Sequence, residues 1–401
     1  MEKFFKNNQV GIIGDVILDK YKYFKAIRLS PEGPAPVVRF ISESLSLGGA
    51  ANVALSIANL GLNIELNYAE AQGEEFENIN FLKENLSKST IKFRRTKSNL
   101  KNAIPLKIRY YVDGKQFMRE DIEENNIPQV DLLSNKYIEK ILQKYDVLIL
   151  SDYQKGLISN NVMKNIISLC NLKNIPLFID TKNLKKNFIK NGFCLKINES
   201  EFNNLFKEYQ IGFDDSTDLI KNKLNLARKS SNITNLILTL GSKGSFLSNP
   251  IIVSNIKAEE VEILDITGAG DAFLAAVVYS FIKRNEEKFI DLKKSFINKN
   301  DLKFANKASS SVISLKGTEP ISKDFLNSLT TNSIIKKKIG FTNGCFDLLH
   351  LGHLALLKQA KENCDYLIVG LNSDNSVKRL KGNCRPINDE GTRSKILESL
   401  E

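Results

Sequence analysis

Short runs of consecutive apolar residues, bounded by turn formers, recur along the chain at Val10–Ile13, Val147–Leu150, Pro176–Ile179, Leu236–Leu240 and Tyr366–Val369. Unbroken apolar character is what strands buried on both faces show, so these runs predict a parallel sheet. Helix-length segments such as Asn161–Leu172, Asp218–Ser230 and Asp271–Lys283 lie between them, giving the βαβα alternation of an α/β layered fold with right-handed crossovers. Ala103–Glu120 instead alternates, holds Arg109, Tyr110 and Tyr111, and turns at Asp113-Gly114; it predicts a hairpin exposed on one face, suited to a lid. From Lys316 to Lys338 the pattern becomes polar and ends in three lysines, after which a new strand begins at Ile339. We therefore expect one domain over residues 1–325, a linker at 326–337 and a second domain at 338–401. The second holds a strand, a helix, another strand and a partial helix.

Composition narrows the function classes. With 401 residues, 42% hydrophobic and 26% charged, the chain falls among ordinary globular proteins and outside disordered or fibrous ones. Its longest apolar stretch, Ala272–Ile282, is far shorter than the roughly 20 residues that cross a bilayer. The first eight residues carry an acid and no apolar core of the kind a secretory signal needs, so a cytoplasmic protein without a membrane partner is expected. Five scattered cysteines without a C-x-x-C pair argue against a disulfide framework and against a directly ligated metal. The formal charge of +11 comes from 57 basic residues mixed with 46 acidic ones and forms no stripe interleaved with aromatics. A phosphorylated small molecule is the expected partner, not nucleic acid.

The segment Asp265-Ile266-Thr267-Gly268-Ala269-Gly270-Asp271 places small residues directly before an apolar helix. Backbone N–H groups there stay open to an anion and the helix dipole adds attraction, which makes a phosphate cradle with a carboxylate, Asp271, in the first helical turn. The chain has no G-x-x-x-x-G-K-[ST] loop, and Phe273 stands where a dinucleotide fingerprint needs its third glycine. Taken with Gly11–Asp15, Gly48–Ala54, Leu150–Gly156 and Asn198–Glu201, the segment resembles the ribokinase-like sugar kinases over about residues 8–325. That resemblance implies a layered α/β domain with a small β lid, with Asp271 as catalytic base and Gly268, Ala269 and Gly270 as the anion hole. It implies sugar binding by Asp15, Asp19, Gly48, Gly49, Asn52 and Asp152. It also implies ATP and Mg2+ as cofactors, organised by Asn198 and Glu201, with Thr239, Gly241, Lys243, Gly244 and Asn306 on the nucleotide side. Read alone, Asn198–Glu201 is a helix-capping motif. Arg109, Arg119, Lys155 and Lys182 are candidates for a phosphate carried by the sugar.

Both histidines of the chain fall in Thr342-Asn343-Gly344-Cys345-Phe346-Asp347-Leu348-Leu349-His350-Leu351-Gly352-His353. H-x-G-H at a helix start, just after a strand, suits binding of triphosphate oxygens and stabilisation of charge during nucleotidyl transfer. No carboxylate or third ligand stands at zincin spacing. The motif resembles the cytidylyltransferase-like superfamily, an incomplete Rossmann-like nucleotidyltransferase domain here. The continuation through Asn372, Asp374, Lys378 and Arg385 resembles its adenylyltransferase branch. The resemblance gives nucleotide-site roles to Thr342, Asn343, Gly344, Phe346, Asp347, His350, Gly352 and His353 and to those four.

The two domains in this order, with Ile27–Val38 near the N-terminus, resemble the family of bifunctional heptose 7-phosphate kinases/heptose 1-phosphate adenylyltransferases. Membership implies phosphorylation of D-glycero-D-manno-heptose 7-phosphate at its anomeric hydroxyl, synthesis of ADP-heptose for lipopolysaccharide, and a homodimer formed through the kinase domain. The sequence ends at Glu401, before the family's later strands and its Ser-Thr-Thr nucleotide motif, so adenylyl transfer is not expected of these 401 residues and an exposed apolar face is. Competing readings are a kinase of another sugar or sugar phosphate, and an inactive nucleotide-binding partner protein.

Overall fold

The structure is a computed structural model that describes residues 9–71, 76–89, 91–98, 104–124, 131–182, 185–287, 292, 295–333, 339–364 and 366–400. Two compact units are present, Met1–Phe325 and Leu326–Glu401. The first unit begins with β1 (Gln9–Gly14), β2 (Val16–Leu29), β3 (Pro36–Gly49), β4 (Asn63–Ala71), β5 (Ile91–Ser98), β6 (Leu106–Val112) and β7 (Lys115–Ile122). It continues with β8 (Val147–Asp152), β9 (Leu177–Thr181), β10 (Cys194–Asn198), β11 (Asn235–Thr239), β12 (Ser245–Ser248) and β13 (Val253–Ile256).

Nine strands form the main sheet in the order β13-β12-β11-β10-β9-β8-β1-β4-β5, parallel from β5 to β11 and antiparallel at β12 and β13. Four of the five apolar runs read from sequence are strands of this sheet, β1, β8, β9 and β11, and their alternation supplies both faces, while Tyr366–Val369 lies in the second unit. Leu148, Leu150, Leu177 and Ile179 join the core that buries Val162, Ile166 and Cys170 of the helix Asn160–Lys173. Phe178 points the other way, with its ring 5.6 Å from that of Phe281 on the helix Ala269–Glu287. Helices therefore cover both faces. Their ends follow local chemistry: Ser159 and Ser216 accept N-cap bonds from Val162 and Leu219, while Asn174 and Asn232 close helices in the left-handed region at φ 53° and 50°.

The lid is a second sheet, ordered β3-β2-β6-β7. The predicted hairpin is β6–β7, whose turn Asp113-Gly114 has φ of 48° and 79°, the left-handed pair that a two-residue hairpin turn requires; Ala103 lies outside the described residues. The long hairpin β2–β3 was not legible as strands, because charged side chains interrupt its alternation. It leaves the main sheet just after Asp15 and returns through Gly48 and Gly49 into the helix Ala50–Asn59, which hangs the lid over the carboxyl end of β1.

The helix Phe325–Ser333 occupies the first part of the stretch read as a linker, and residues 334–338 lie outside the described ones. In the second unit, β14 (Ile339–Gly344) and β15 (Tyr366–Leu371) pair in parallel, with helices Leu351–Glu362, Asp374–Lys381 and Glu390–Glu398. Among the described residues of this unit the fully buried apolar side chains are Phe346 and Val377.

Candidate active site

In an open parallel sheet, ligands gather at the carboxyl ends of the strands. Asp15, Asp152, Thr181, Asn198 and Thr239 all stand there, at the ends of β1, β8, β9, β10 and β11. Register brings them side by side: Gly14 pairs with Ser151, Asp152 with Thr181 and Asn198 with Thr239.

The centre of this row is Asp271, buried in the first turn of the helix Ala269–Glu287. Tyr153 Oη donates to its Oδ1 at 2.7 Å and Asn52 Nδ2 to its Oδ2 at 3.3 Å. Burial, with the charge of Asp180, pushes the Asp271 carboxyl up to about 6, against the pull of Tyr153, Lys196 and Asn52. The group is therefore ionised at neutral pH yet basic enough to take a proton. Gly268 sits at φ 81°, and a Cβ on it would stand 3.0 Å from Asn52 Nδ2. A Cβ on Gly270 would stand 2.9 Å from Lys196 Nζ. The glycines thus let the turn close onto two polar side chains. Of the N–H groups expected to form the anion hole, that of Ala269 makes a long turn bond of 3.3 Å to Ile266 O.

Lys196 is buried and bonded to Asp180 at 2.6 Å. Burial opposes its charge, but Asp180 with Glu201 and Asp271 outweighs that and holds the ammonium protonated beneath the glycine turn. Neither member was singled out from sequence. Their signal was a Lys inside an otherwise apolar strand and an Asp at a strand end.

The residues expected on the sugar side form two groups. Asp15 Oδ2 accepts from the backbone N–H groups of Tyr153 (2.9 Å) and Lys155 (3.0 Å), and burial raises its pKa against those bonds. Asp152 accepts from Thr181 Oγ1 at 2.6 Å; burial and the nearby Asp15 push it up to about 7. Asp19 is clamped by Arg109 (2.6 Å) and Thr318 (3.1 Å), and Gly48 provides the space, since a Cβ there would meet Asp19 Oδ2 at 2.4 Å. Gly49 begins the helix Ala50–Asn59 at φ 58° with no side-chain cap, and Asn52 Oδ1 is buried without a partner. An uncapped helix start and a buried acceptor awaiting a donor fit a polyhydroxylated ligand.

Among the residues expected on the nucleotide side, Asn198 and Glu201 make a complete capping box at 2.9 Å each way, and the other Glu201 oxygen pairs with Lys182. Gly244, at φ 84°, leaves no room for a side chain against Ile256 O. Gly241, at φ 51°, begins the turn that carries Lys243, whose Nζ donates to Phe213 O at 2.6 Å. Asn306 spends its amide on Ser245, Ile256 and Lys257, so it ties the helix Lys299–Ile313 to the sheet edge. The four basic candidates are each paired: Arg109 with Asp19, Arg119 with Asp121, Lys155 with Glu123 and Lys182 with Glu201. Lys107, missed in the sequence because it alternates with neighbours on β6, has no side-chain hydrogen bond or ion pair among the described residues. Burial lowers its pKa, and its Nζ lies 6.0 Å from the centre of the Tyr153 ring.

The second unit has its own site. Thr342, Asn343 and Gly344 end β14, and Asn372 bonds back to Gly344 O at 3.1 Å. Phe346, at φ 43°, turns its ring toward His353 (5.2 Å between centres). His350 begins the helix Leu351–Glu362 without a side-chain cap, and its ring stacks on His353 at 3.9 Å, where a side chain on Gly352 would crowd it. Burial, then the neighbouring His350 and Lys381, lower the pKa of His353. Asp347 accepts from Arg385 (2.7 Å) and Ile387 N (2.6 Å). Arg393, not singled out from sequence, is fully buried and bonds Cys345 O, Asn372 O, Asn388 O and Asp374, which pins the two strand-end loops together. Lys378 lies in the last turn of the helix Asp374–Lys381.

Residues 9–324 match the profile of the pfkB family carbohydrate kinases, and 341–401 that of the cytidylyltransferase-like family. Bifunctional protein HldE of Marinomonas sp. (strain MWYL1) is 33% identical over 99% of this chain and 84% of its own length. That of Histophilus somni (strain 129Pt) is 35% identical over 99% and 83%. Among solved structures, Arabidopsis thaliana ribokinase complexed with ribose and ATP covers 80% of this chain and 98% of its own at TM-score 0.61 and 17% identity. Escherichia coli phosphofructokinase-2 gives the same figures, TM-score 0.61 and 17% identity over 80% and 98%. No described helix is long and apolar enough to cross a membrane.

Proposed function

On the premise that this chain belongs to the pfkB family of carbohydrate kinases and, across both units, to the family of the bifunctional protein HldE, we propose that it phosphorylates the anomeric hydroxyl of D-glycero-D-manno-heptose 7-phosphate. The chain is a carbohydrate kinase with a nucleotidyltransferase-like domain; the domain bounds we propose are 1–325 and 338–401.

In this reading Asp271 takes the hydroxyl proton while the oxygen attacks the γ-phosphorus of ATP, giving heptose 1,7-bisphosphate and ADP. Asn52 and Asp15 hold sugar hydroxyls, and the N–H groups of Gly268 and Gly270, over the Lys196 ammonium, hold charge on the transferred group. The observation that carries this is the buried carboxylate at the glycine turn, held from two sides and shifted toward neutrality.

Magnesium fits as a hydrated ion. Asn198 and Glu201 offer oxygen donors at the carboxyl end of β10, where waters of the ion would meet the capping box and the Lys182 pair. When bound, the ion neutralises triphosphate charge. The 7-phosphate falls to Lys107, whose side chain has no ion pair among the described residues, with Lys155 and Arg119 free to exchange their carboxylates for it.

A homodimer through the lid is also proposed, since Leu29, Ile41 and Phe117 stand exposed there, at 76%, 61% and 65%. ATP turnover across a panel of phosphorylated and free sugars tests the assignment. The heptose 7-phosphate is expected to be preferred, and equal turnover of fructose 6-phosphate or of unphosphorylated sugars would contradict it.

A further inference from the structure

Between the sugar-side carboxylate and the base runs one short segment, Tyr153–Lys155, that follows β8. Its backbone donates twice to Asp15, from Tyr153 N and Lys155 N, while the Tyr153 phenol donates to Asp271 at 2.7 Å. The segment is itself fixed. Gln154 sits in the left-handed region at φ 59° and donates its N–H to Asp152 Oδ1 at 2.8 Å, and Lys155 Nζ pairs at 2.7 Å with Glu123, the residue following lid strand β7. A non-glycine residue in that region costs energy and persists only where its surroundings over-determine it. Lysines from two further elements lie against the phenol ring, Lys107 of β6 at 6.0 Å and Lys182 after β9 at 5.4 Å.

We propose that Tyr153 is a positioning residue of the kinase reaction: its phenol aims the Asp271 carboxylate, and its backbone fixes the distance from that carboxylate to the sugar held by Asp15. The proposal rests on Asp271 being the base. Asp271 faces Tyr153, Asn52 of the helix Ala50–Asn59, Asp180 of β9 and Lys196 of β10. Of these, Tyr153 is the donor that reaches Oδ1. The phenol stays protonated, because burial and the charge of Asp271 hold it well above its usual range, so it donates throughout the working pH range.

The test is a cycle of Tyr153→Phe, Asp271→Asn and the double variant, with kcat, KM for ATP and the pH profile measured for each. Losing the donated bond raises the Asp271 pKa, so Tyr153→Phe should move the acidic limb of the kcat profile to higher pH and lower kcat about 10-fold at neutral pH, with KM for ATP unchanged. The double variant should be no slower than Asp271→Asn, as expected for a residue that acts through another. Ring-fluorinated tyrosine at position 153, a stronger donor of the same shape, should move the limb to lower pH, and this holds even if the Phe variant folds poorly. An unmoved limb in both variants, or additive losses in the cycle, overturns the positioning role alone. Near-normal turnover of Asp271→Asn overturns the base assignment and this proposal with it.

Discussion

The two units set the residues proposed to handle phosphate at the same kind of address, the carboxyl end of a parallel strand followed by a helix start, but they back that address differently. Behind Asp271 stand a nine-stranded sheet with helices on both faces and a helix whose residues Ala272–Val278 are all buried. Behind His350 and His353 stand two described strands, whose residues Phe341 and Ile368 are 69% and 52% exposed. A packed core holds side chains in single rotamers, and a site needs its groups placed to about 0.5 Å. The first unit backs its site with a core of that kind. The second holds its loops together chiefly through polar bonds, those of Arg393 and Asp347, over little apolar burial.

The largest expected effect is at the base. Asp271→Asn should cut turnover by about 10²–10⁴-fold with ATP binding little changed, read from steady-state kinetics and ATP titration. Because Asp271 has its pKa raised on folding, to about 6 from an ordinary carboxylate value near 3.9, it binds more protons folded than unfolded between those values. Its ionisation therefore costs stability as pH rises through that window, so the Asn variant should melt higher than wild type at pH 7 despite its slower turnover. Wild-type kinase activity should fall as pH drops through about 6. A variant that melts lower would separate the carboxylate from the account of its burial.

Next in size is packing. Phe178 is fully buried, with ring contacts at 5.6 Å to Phe193 and Phe281, and Phe178→Ala should cost about 3–5 kcal/mol of stability in denaturant unfolding. Ile368→Ala in the second unit should change stability by no more than about 0.5 kcal/mol. Equal costs would remove the contrast between the units.

Smaller effects probe individual ligand contacts. Lys107→Ala should raise KM for the phosphorylated sugar about 10-fold and leave KM for ATP alone, the size expected from one charge-assisted bond. An unchanged KM would pass the 7-phosphate to Arg119 or Lys155. Glu201→Gln should raise the magnesium concentration for half-maximal activity a few-fold, because the charge beside the hydrated ion is gone. An unaltered magnesium titration would leave Glu201 as a helix cap paired with Lys182.

Much of the main sheet was legible because strands buried on both faces, such as Val147–Leu150, advertise themselves as unbroken apolar runs. The lid strand β2 was not, since Asp19, Lys20, Lys22 and Lys25 interrupt it and its parallel partner β6 lies far along the chain. In the site, motif residues such as Asp271 and Asn52 could be named, but what connects them could not. Tyr153, Lys196, Asp180 and Arg393 act through partners distant in sequence, and a linear pattern carries no sign of which tyrosine reaches which aspartate. Asn198–Glu201 shows the converse: its capping geometry was evident in the spacing and is fully realised.

The most direct test of the contrast between the units is product identification. The chain is incubated with ATP, magnesium and heptose 7-phosphate, and the products are followed by phosphorus NMR. The account predicts ADP and a new anomeric phosphate, formed alike by the wild type and by the His350→Ala/His353→Ala variant and lost in Asp271→Asn. Product lost in the histidine variant, or formed at the wild-type rate by Asp271→Asn, would contradict it.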